Sequence, residues 1–249
     1  MNDTKKFICM KWGDLYGPEY VNRLHSMVCR NSSGSIRFVC LTDDKSGLNS
    51  NIECYPCPGI SIPAPHNLKG WRKITLFSES EKLYNLSGDW LYLDLDIVIT
   101  GSLDDFFLYD PEDSFVVMKN WTQPNSGIGN TSVYRFKAGS DNYLLNDLLQ
   151  NHKQIIRKYS NSQTYISRNI KKINFWPDKW CRLFKVDCVP PWPKRLWTEP
   201  YLPEGARIIA FPGVPNPHDA VLGNWPEKKL HKKIYKRIIP TAWIENHWK

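Results

Sequence analysis

The sequence predicts an α/β protein built on an open, mostly parallel central sheet flanked by helices, with an irregular C-terminal part. Three observations predict it. Apolar, β-branched runs alternate with amphipathic stretches over the first hundred residues in the order strand, helix, strand, strand, helix, strand, which is the rhythm of parallel strands joined by crossovers. The most apolar run, Trp90–Thr100 (WLYLDLDIVIT), is bracketed by Gly88-Asp89 and Gly101-Ser102 and reads as a buried central strand. The chain has 249 residues and is 41% hydrophobic, enough for one large core.

Taken in order, Lys6–Trp12 is a first strand, followed by the turn Gly13-Asp14-Leu15-Tyr16-Gly17-Pro18. Pro18-Glu19 suits a helix start, and apolar residues at 21, 24, 27 and 28 give Tyr20–Cys29 helical spacing. Ser35–Thr42 is a second strand ending in Asp43-Asp44, Asn51–Tyr55 a short third, and Cys57–Lys69, rich in Pro and Gly, a loop. Arg72–Leu86 is predicted helical, and the central strand follows. Beyond it we expect a helical turn at Ser102–Phe107, strands at Ser114–Lys119 and Thr131–Phe136 on either side of the turn Pro124–Gly129, and helices at Asp141–Tyr159 and Ser162–Asn169. Phe175–Lys185 is mixed and aromatic, Pro190–Pro203 is a loop with five prolines, and Arg207–Phe211 is a last core strand before the loop PGVPNPHDA. No internal repeat or linker is visible, so a single domain over 1–249 is expected, with residues 1–110 as one half and 111–249 as the other.

Composition narrows the class. The opening MNDTKKFICMKWG has no long apolar segment and no window approaches eighteen apolar residues, so neither a signal peptide nor a membrane span is expected. The seven cysteines are odd in number and several sit in strand-like runs, as expected of reduced thiols in a cytoplasmic protein. Cys54 and Cys57 form a CxxC without a second pair, so zinc is not expected. The net charge of +8 concentrates in Lys228–Arg237, six of whose ten residues are Lys or Arg. Such a run suits phosphates or anionic lipid headgroups, or simply a solvated helix face. No nucleic-acid fold pattern accompanies it, so nucleic acid is not an expected partner.

The chemistry concentrates on Asp94 and Asp96. Side chains two apart on a strand share a side, about 7 Å apart at the base, and two neighbouring carboxylates repel unless something positive compensates. A divalent ion such as Mn²⁺ or Mg²⁺ is one answer; solvation or pairing with Lys or Arg is the other. Trp12-Gly13, Asp43-Asp44 and Asp94/Asp96 all fall at predicted carboxyl ends of strands, where open α/β sheets bind ligands.

A buried hhhhDxD strand after two βα units resembles the metal-binding motif of GT-A glycosyltransferases. Asn125-Ser126-Gly127 is similar to the NSG turn of glycosyltransferase family 8 and its relatives. Ser162-Gln163 occupies the place of their Asp-Gln pair, and Phe211–Pro217 resembles their late loop of the form F-H-G-x-P-K-P. The stretch KWGDLYGPEYVNRLHSMVCRN, the CLTDD strand end and the closing WIENHW resemble a subgroup of bacterial and viral glycosyltransferases. The departures are Pro212 where the family has a metal-ligating His, Asn216 where it has a diphosphate-binding Lys, and Ser162 where it has an acid.

What the resemblance implies is a Rossmann-like GT-A domain, with residues 1–110 binding the nucleotide and 111–249 closing the acceptor side. The domain would transfer a sugar from a nucleotide sugar, UDP-linked by family habit, to a glycan, lipid-linked or protein acceptor. Asp94, Asp96 and Gln163 are the catalytic candidates, and Asp94, Asp96 and His218, a few residues past the missing His, the metal candidates. Trp12 and Tyr16 would stack on the base, Asp43 would accept from base or ribose, and Lys73 would face the donor. Asn125, Ser126 and Gly213 complete the donor set, the amides holding sugar hydroxyls. Asp141, Asp178 and Asp219 are possible bases for an inverting reaction. Lys228–Arg237 would touch an anionic membrane from the cytoplasmic side. Two other readings remain: a GT-A-like binder without turnover, motivated by Pro212 and Ser162, and a haloacid-dehalogenase-type phosphatase, for which the later acidic pair is missing.

Overall fold

The structure, a computed structural model, describes residues 4–112, 115–233 and 235–249. Met1–Asp3, Ser114 of the predicted strand Ser114–Lys119, and Ile234 of the basic run lie outside the described residues.

The strands and helices are β1 (Lys5–Lys11), α1 (Pro18–Arg30), β2 (Ile36–Thr42), β3 (Glu53–Pro56), β4 (Gly88–Leu93), β5 (Ile97–Ile99), α2 (Asp105–Leu108), β6 (Val116–Lys119), β7 (Gly129–Ala138), α3 (Tyr143–Lys158), α4 (Ser162–Asn169), β8 (Asn174–Phe175), β9 (Cys181–Leu183), β10 (Ile208–Ala210), α5 (Pro217–Val221), α6 (Leu230–Lys233) and α7 (Ala242–His247). By their contacts they form two compact units. The first comprises Met1–Val21, Gly34–Leu95 and Asp105–Trp176, and the second Asn22–Ser33, Asp96–Asp104 and Pro177–Lys249.

The first unit holds a seven-stranded sheet of order β3-β2-β1-β4-β7-β6-β8. The pairs β3–β2, β2–β1, β1–β4 and β6–β8 are parallel, and only β7 runs against its neighbours. The expected α/β class with a mostly parallel sheet therefore holds. The chain moves outward from β1 to β3 and then returns to place β4 on the other side of β1, so the order reverses between β1 and β4. Ile8, Val39, Tyr92, Val117 and Tyr134 from the strands share one buried cluster with Leu144, Leu148 and Ile166 of the flanking helices.

Two predicted elements are corrected. Arg72–Leu86 is not an α-helix: it folds as 3-10 turns at Gly70–Phe77 and Ser80–Lys82, preceded by another at His66–Leu68. Ile74, Thr75, Leu76 and Phe77 are all buried, and four consecutive inward residues cannot share one face of a 3.6-residue helix. Trp90–Thr100 is not one strand either. β4 ends at Leu93, Asp94-Leu95-Asp96 is irregular, and Ile97–Ile99 joins a different sheet. The same-side, strand-face geometry expected for Asp94 and Asp96 therefore does not form. Smaller differences follow from pairing: β7 runs beyond Thr131–Phe136 at both ends because β4 and β6 pair along it.

The second unit has a three-stranded sheet of order β5-β10-β9, with β10 antiparallel to β5 and parallel to β9. Its apolar contacts include Phe184 stacked on Phe211 with centroids 4.5 Å apart and the buried Ile244 of α7. The mixed stretch Phe175–Lys185 resolves into parts of β8 and β9 and the start of a π-helical turn, Phe184–Cys188.

Candidate functional site

In the first unit the predicted residues gather around one segment, His66–Phe77. After β1, the Trp12 indole Nε1 donates to the Leu68 carbonyl at 3.0 Å, and the Arg72 guanidinium lies 6.0 Å from the centre of its ring. Asp43, past the end of β2, accepts from the Gly13 amide at 2.9 Å. Gly13 has φ +61, so the glycine permits the left-handed turn that aims this amide. Tyr16 packs on Tyr20 of α1, ring centres 4.6 Å apart.

Lys73, one turn into Gly70–Phe77, meets Asp94 at the end of β4. Its Nζ donates to Asp94 Oδ2 at 2.6 Å, with side-chain exposures of 13% and 17%. The Tyr92 hydroxyl donates to the other carboxylate oxygen at 2.8 Å. The Asp94 amide donates to Ser132 of β7 at 2.9 Å. Burial, and then the charge of Asp94, push the Tyr92 phenol well up, so it stays a donor. The same two causes raise Tyr134, whose hydroxyl is buried without a hydrogen-bond partner among the described residues.

The amide candidates sit on linked elements. Asn125 is exposed, with φ +65, in the turn before β7. Ser126 Oγ donates to the Gln123 carbonyl at 2.7 Å, and Arg168 of α4 donates to the Ser126 carbonyl at 3.0 Å. Ser167 accepts from the Gly129 amide at 2.9 Å and donates to the Gln163 carbonyl at 2.7 Å. Gln163 thus stands in the first turn of α4, a helix tied through Ser167 to the start of β7 and through Arg168 to the NSG turn. A Cβ on Gly70 would come 3.3 Å from Ser162 Oγ, so the segment that carries Lys73 also abuts α4.

In the second unit, the Asp96 carbonyl accepts from the Phe211 amide at 2.9 Å. Gly213 follows with φ +74. Asn216 precedes α5, its amide donating to Asp219 Oδ2 at 2.9 Å. Asp219, one of the possible bases, is thereby used as a helix cap. Asp141, in the first unit, is buried and accepts from Ser140 Oγ at 2.8 Å. His218 Nε2 lies 3.3 Å from Asp219 Oδ1 and its side chain is half exposed.

The donor set does not fit a divalent ion as it is arranged. Among the described residues no three His, Cys, Asp or Glu gather as metal ligands. The Asp94 carboxylate is engaged by an ammonium and a phenol, His218 faces Asp219, and Pro212 has no ligating side chain. Cys54 and Cys57 are free thiols, and burial pushes Cys57 up to about 12.

Sequence reasoning missed three groups: Arg72, which also donates to the Pro58 and Cys57 carbonyls at 2.9 and 3.0 Å, Tyr92, and Lys185. Arg72 and Lys185 lie in stretches taken as a plain helix and as mixed aromatic chain, and Tyr92 reads as strand core.

Compared with solved structures, the fold is similar to that of the galactosyltransferase LgtC in complex with donor and acceptor sugar analogs, with a TM-score of 0.56 and 12% identity over 85% of this chain and 88% of that one. An active-site mutant of LgtC gives 0.53, with 12% identity over 85% and 89% of the two chains. The apo form of the glycosyltransferase GlyE from Streptococcus pneumoniae TIGR4 gives 0.56 at 14% identity, over 98% of this chain and 62% of GlyE. At such identities the likeness is one of fold. No protein-family model matches the sequence, and no curated protein matches it significantly.

Proposed function

We propose that this protein is a GT-A-type glycosyltransferase that takes a sugar from a nucleotide sugar to a glycan, lipid-linked or protein acceptor. The observation that carries the proposal is the cluster at the carboxyl ends of β1, β2 and β4: Trp12, the Gly13–Asp43 contact and the Lys73–Asp94 pair. It sits where the strand order reverses, the place where open α/β sheets bind nucleotides. The likeness in fold to LgtC, solved with donor and acceptor sugar analogs, supports the same reading.

In this proposal Trp12 offers an aromatic face to the base and Asp43 and Asp94 offer acceptors to ribose or sugar hydroxyls. Asn125 and Gln163 hold further hydroxyls, since each amide both donates and accepts. Departure of the nucleoside diphosphate builds negative charge on the bridging oxygen, and cations are the groups that stabilise it. A divalent ion on Asp94, Asp96 and His218 would supply that as a Lewis acid, but these residues do not present such a set, so no step is assigned to it.

The test is a panel of UDP-, GDP-, CDP- and dTDP-sugars, read by thermal shift and by release of nucleoside diphosphate, in EDTA and in Mn²⁺. At least one donor is expected to raise the melting temperature and to be hydrolysed or transferred. Silence across the panel would overturn the proposal. Stabilisation without turnover would favour the binder without activity, the reading that Ser162 and Pro212 motivate.

The proposal extends to the basic run. α6 falls within Lys228–Arg237, and no helix among the described residues is long and apolar enough to cross a membrane. Peripheral contact of these cations with anionic headgroups predicts co-sedimentation with phosphatidylserine vesicles that fades with salt. Equal sedimentation of a variant with the run neutralised would count against it.

A further inference from the structure

We infer that Tyr134 is a positioning residue: its idle hydroxyl is the reserve hydrogen-bond donor for Asp94, engaged when Lys73 leaves that carboxylate for a phosphate of the donor. That the lysine goes to a phosphate rests on the nucleotide-sugar reading above; that Tyr134 takes its place does not. Tyr134 lies in β7 directly opposite Tyr92 of β4, and both side chains are fully buried. Cross-strand partners share one face of a sheet, and here the two rings stack with centroids 4.7 Å apart and planes 23° from parallel. The Tyr92 hydroxyl donates to one Asp94 oxygen at 2.8 Å and Lys73 Nζ to the other at 2.6 Å. The hydroxyl of the neighbouring ring, Tyr134, has no partner among the described residues.

An idle buried hydroxyl is costly. Tyr134 packs among Phe77, Phe115 and Phe136, where phenylalanine would fill the same space without leaving a polar group desolvated and unpaired. The same rings hold the phenol in place, so its O–H bond can rotate but the hydroxyl cannot turn out to water. Asp94 is the group that can come to it. Asp94 follows the end of β4, its amide tied to the Ser132 carbonyl of β7, two residues before Tyr134, at 2.9 Å. Burial, and then the charge of Asp94, push the Tyr134 phenol well up, so the hydroxyl keeps its proton and stays a donor. Lys73 is the member that can leave. Its stem is flexible, and the Thr131 carbonyl offers its Nζ a second acceptor at 3.5 Å. Negative charge building on a departing diphosphate competes with Asp94 for this ammonium. The carboxylate left behind, with a side-chain exposure of 17%, is the costly half of a broken ion pair. A charge-assisted bond from Tyr134 offsets that cost.

The experiment is urea unfolding of wild type, Tyr134→Phe, Lys73→Met and the double variant, with turnover of an accepted nucleotide sugar by the first two. With Lys73 present, Tyr134→Phe is expected to leave the unfolding midpoint unchanged or to raise it, because an unpaired hydroxyl is removed. In the Lys73→Met background the same change should lower the midpoint by about 0.3 M urea or more, because Asp94 then loses its second donor. In turnover, Tyr134→Phe should lower kcat about tenfold and leave KM within about twofold, since the reserve is drawn on where charge builds and not in the ground state. A purely packing role would shift the midpoint alike in both backgrounds. Equal shifts, a lowered midpoint with Lys73 present, or wild-type kcat in Tyr134→Phe would each overturn the inference, and the last two do not depend on Lys73→Met folding. Nucleotide-sugar turnover alongside equal shifts would leave the proposed function standing. A reversal of sign between the two backgrounds in a protein inert to every nucleotide sugar would sink that function and keep Tyr134 as the reserve donor of Asp94.

Discussion

Lys73→Met is expected to destabilise the protein by about 2–4 kcal/mol and to lower turnover of any accepted nucleotide sugar by about 100-fold or more. Methionine keeps most of the stem, so little cavity forms, and the change is the loss of an ammonium. What remains is the Asp94 carboxylate, largely buried, with the Tyr92 hydroxyl as its side-chain donor. Desolvation of an uncompensated charge is the costly half of breaking such a pair. The partial exposure of both groups trims the figure from that of a fully buried pair. Asp94→Asn removes the charge instead and should cost less. The double variant should then recover part of the loss, with a coupling energy of about 1 kcal/mol or more. Urea unfolding of the four proteins measures this. A Lys73→Met loss under about 0.5 kcal/mol would mean that water, not Lys73, compensates Asp94. Unchanged turnover in a folded variant would remove the pair from the site.

A larger effect on stability is expected at Arg135, where replacement by Met should cost about 3–5 kcal/mol. Arg135 is 2% exposed, in the middle of β7 opposite Leu91 and Val116. Its guanidinium donates to the carbonyls of Phe106, Tyr109 and Asp110, at 2.8 and 2.7 Å for the first two. These carbonyls lie in α2 and the turn after it, where a cation suits the helix's negative end. The Trp176 ring lies 5.7 Å from the guanidinium carbon. Methionine fills much of the space but removes the donation to all three carbonyls. Arg135→Lys should lose about 1–3 kcal/mol, because one ammonium cannot reproduce a planar fork. Equilibrium denaturation checks both; a loss below about 1 kcal/mol for Arg135→Met would show that water reaches these carbonyls.

The parts of this protein legible in its sequence are those fixed by residues close along the chain. The apolar positions 21, 24, 27 and 28 define α1, because only a helix brings them to one face. β1 and β2 follow from unbroken apolar runs, which two-sided burial in a parallel sheet demands. The strand-end positions of Trp12 and Asp43 follow from where those runs stop. Local pattern misled where burial came from two sides at once: Trp71–Phe77 has the apolar content of a helix but is enclosed too fully for a helical face.

By itself, then, the sequence determined the α/β class, the order of most elements and the sheet edge where the polar residues collect. Tertiary structure alone decided that WLYLDLDIVIT divides between two sheets at its aspartates, that Lys73 compensates Asp94 across 21 residues, and that Lys185 reaches the Pro212 carbonyl across 27. The physical reason is range. Backbone propensity and hydrophobic period act over a few residues, whereas an ion pair forms only once strand order has brought distant segments together. Burial then fixes which of the chain's many cations each carboxylate or carbonyl receives.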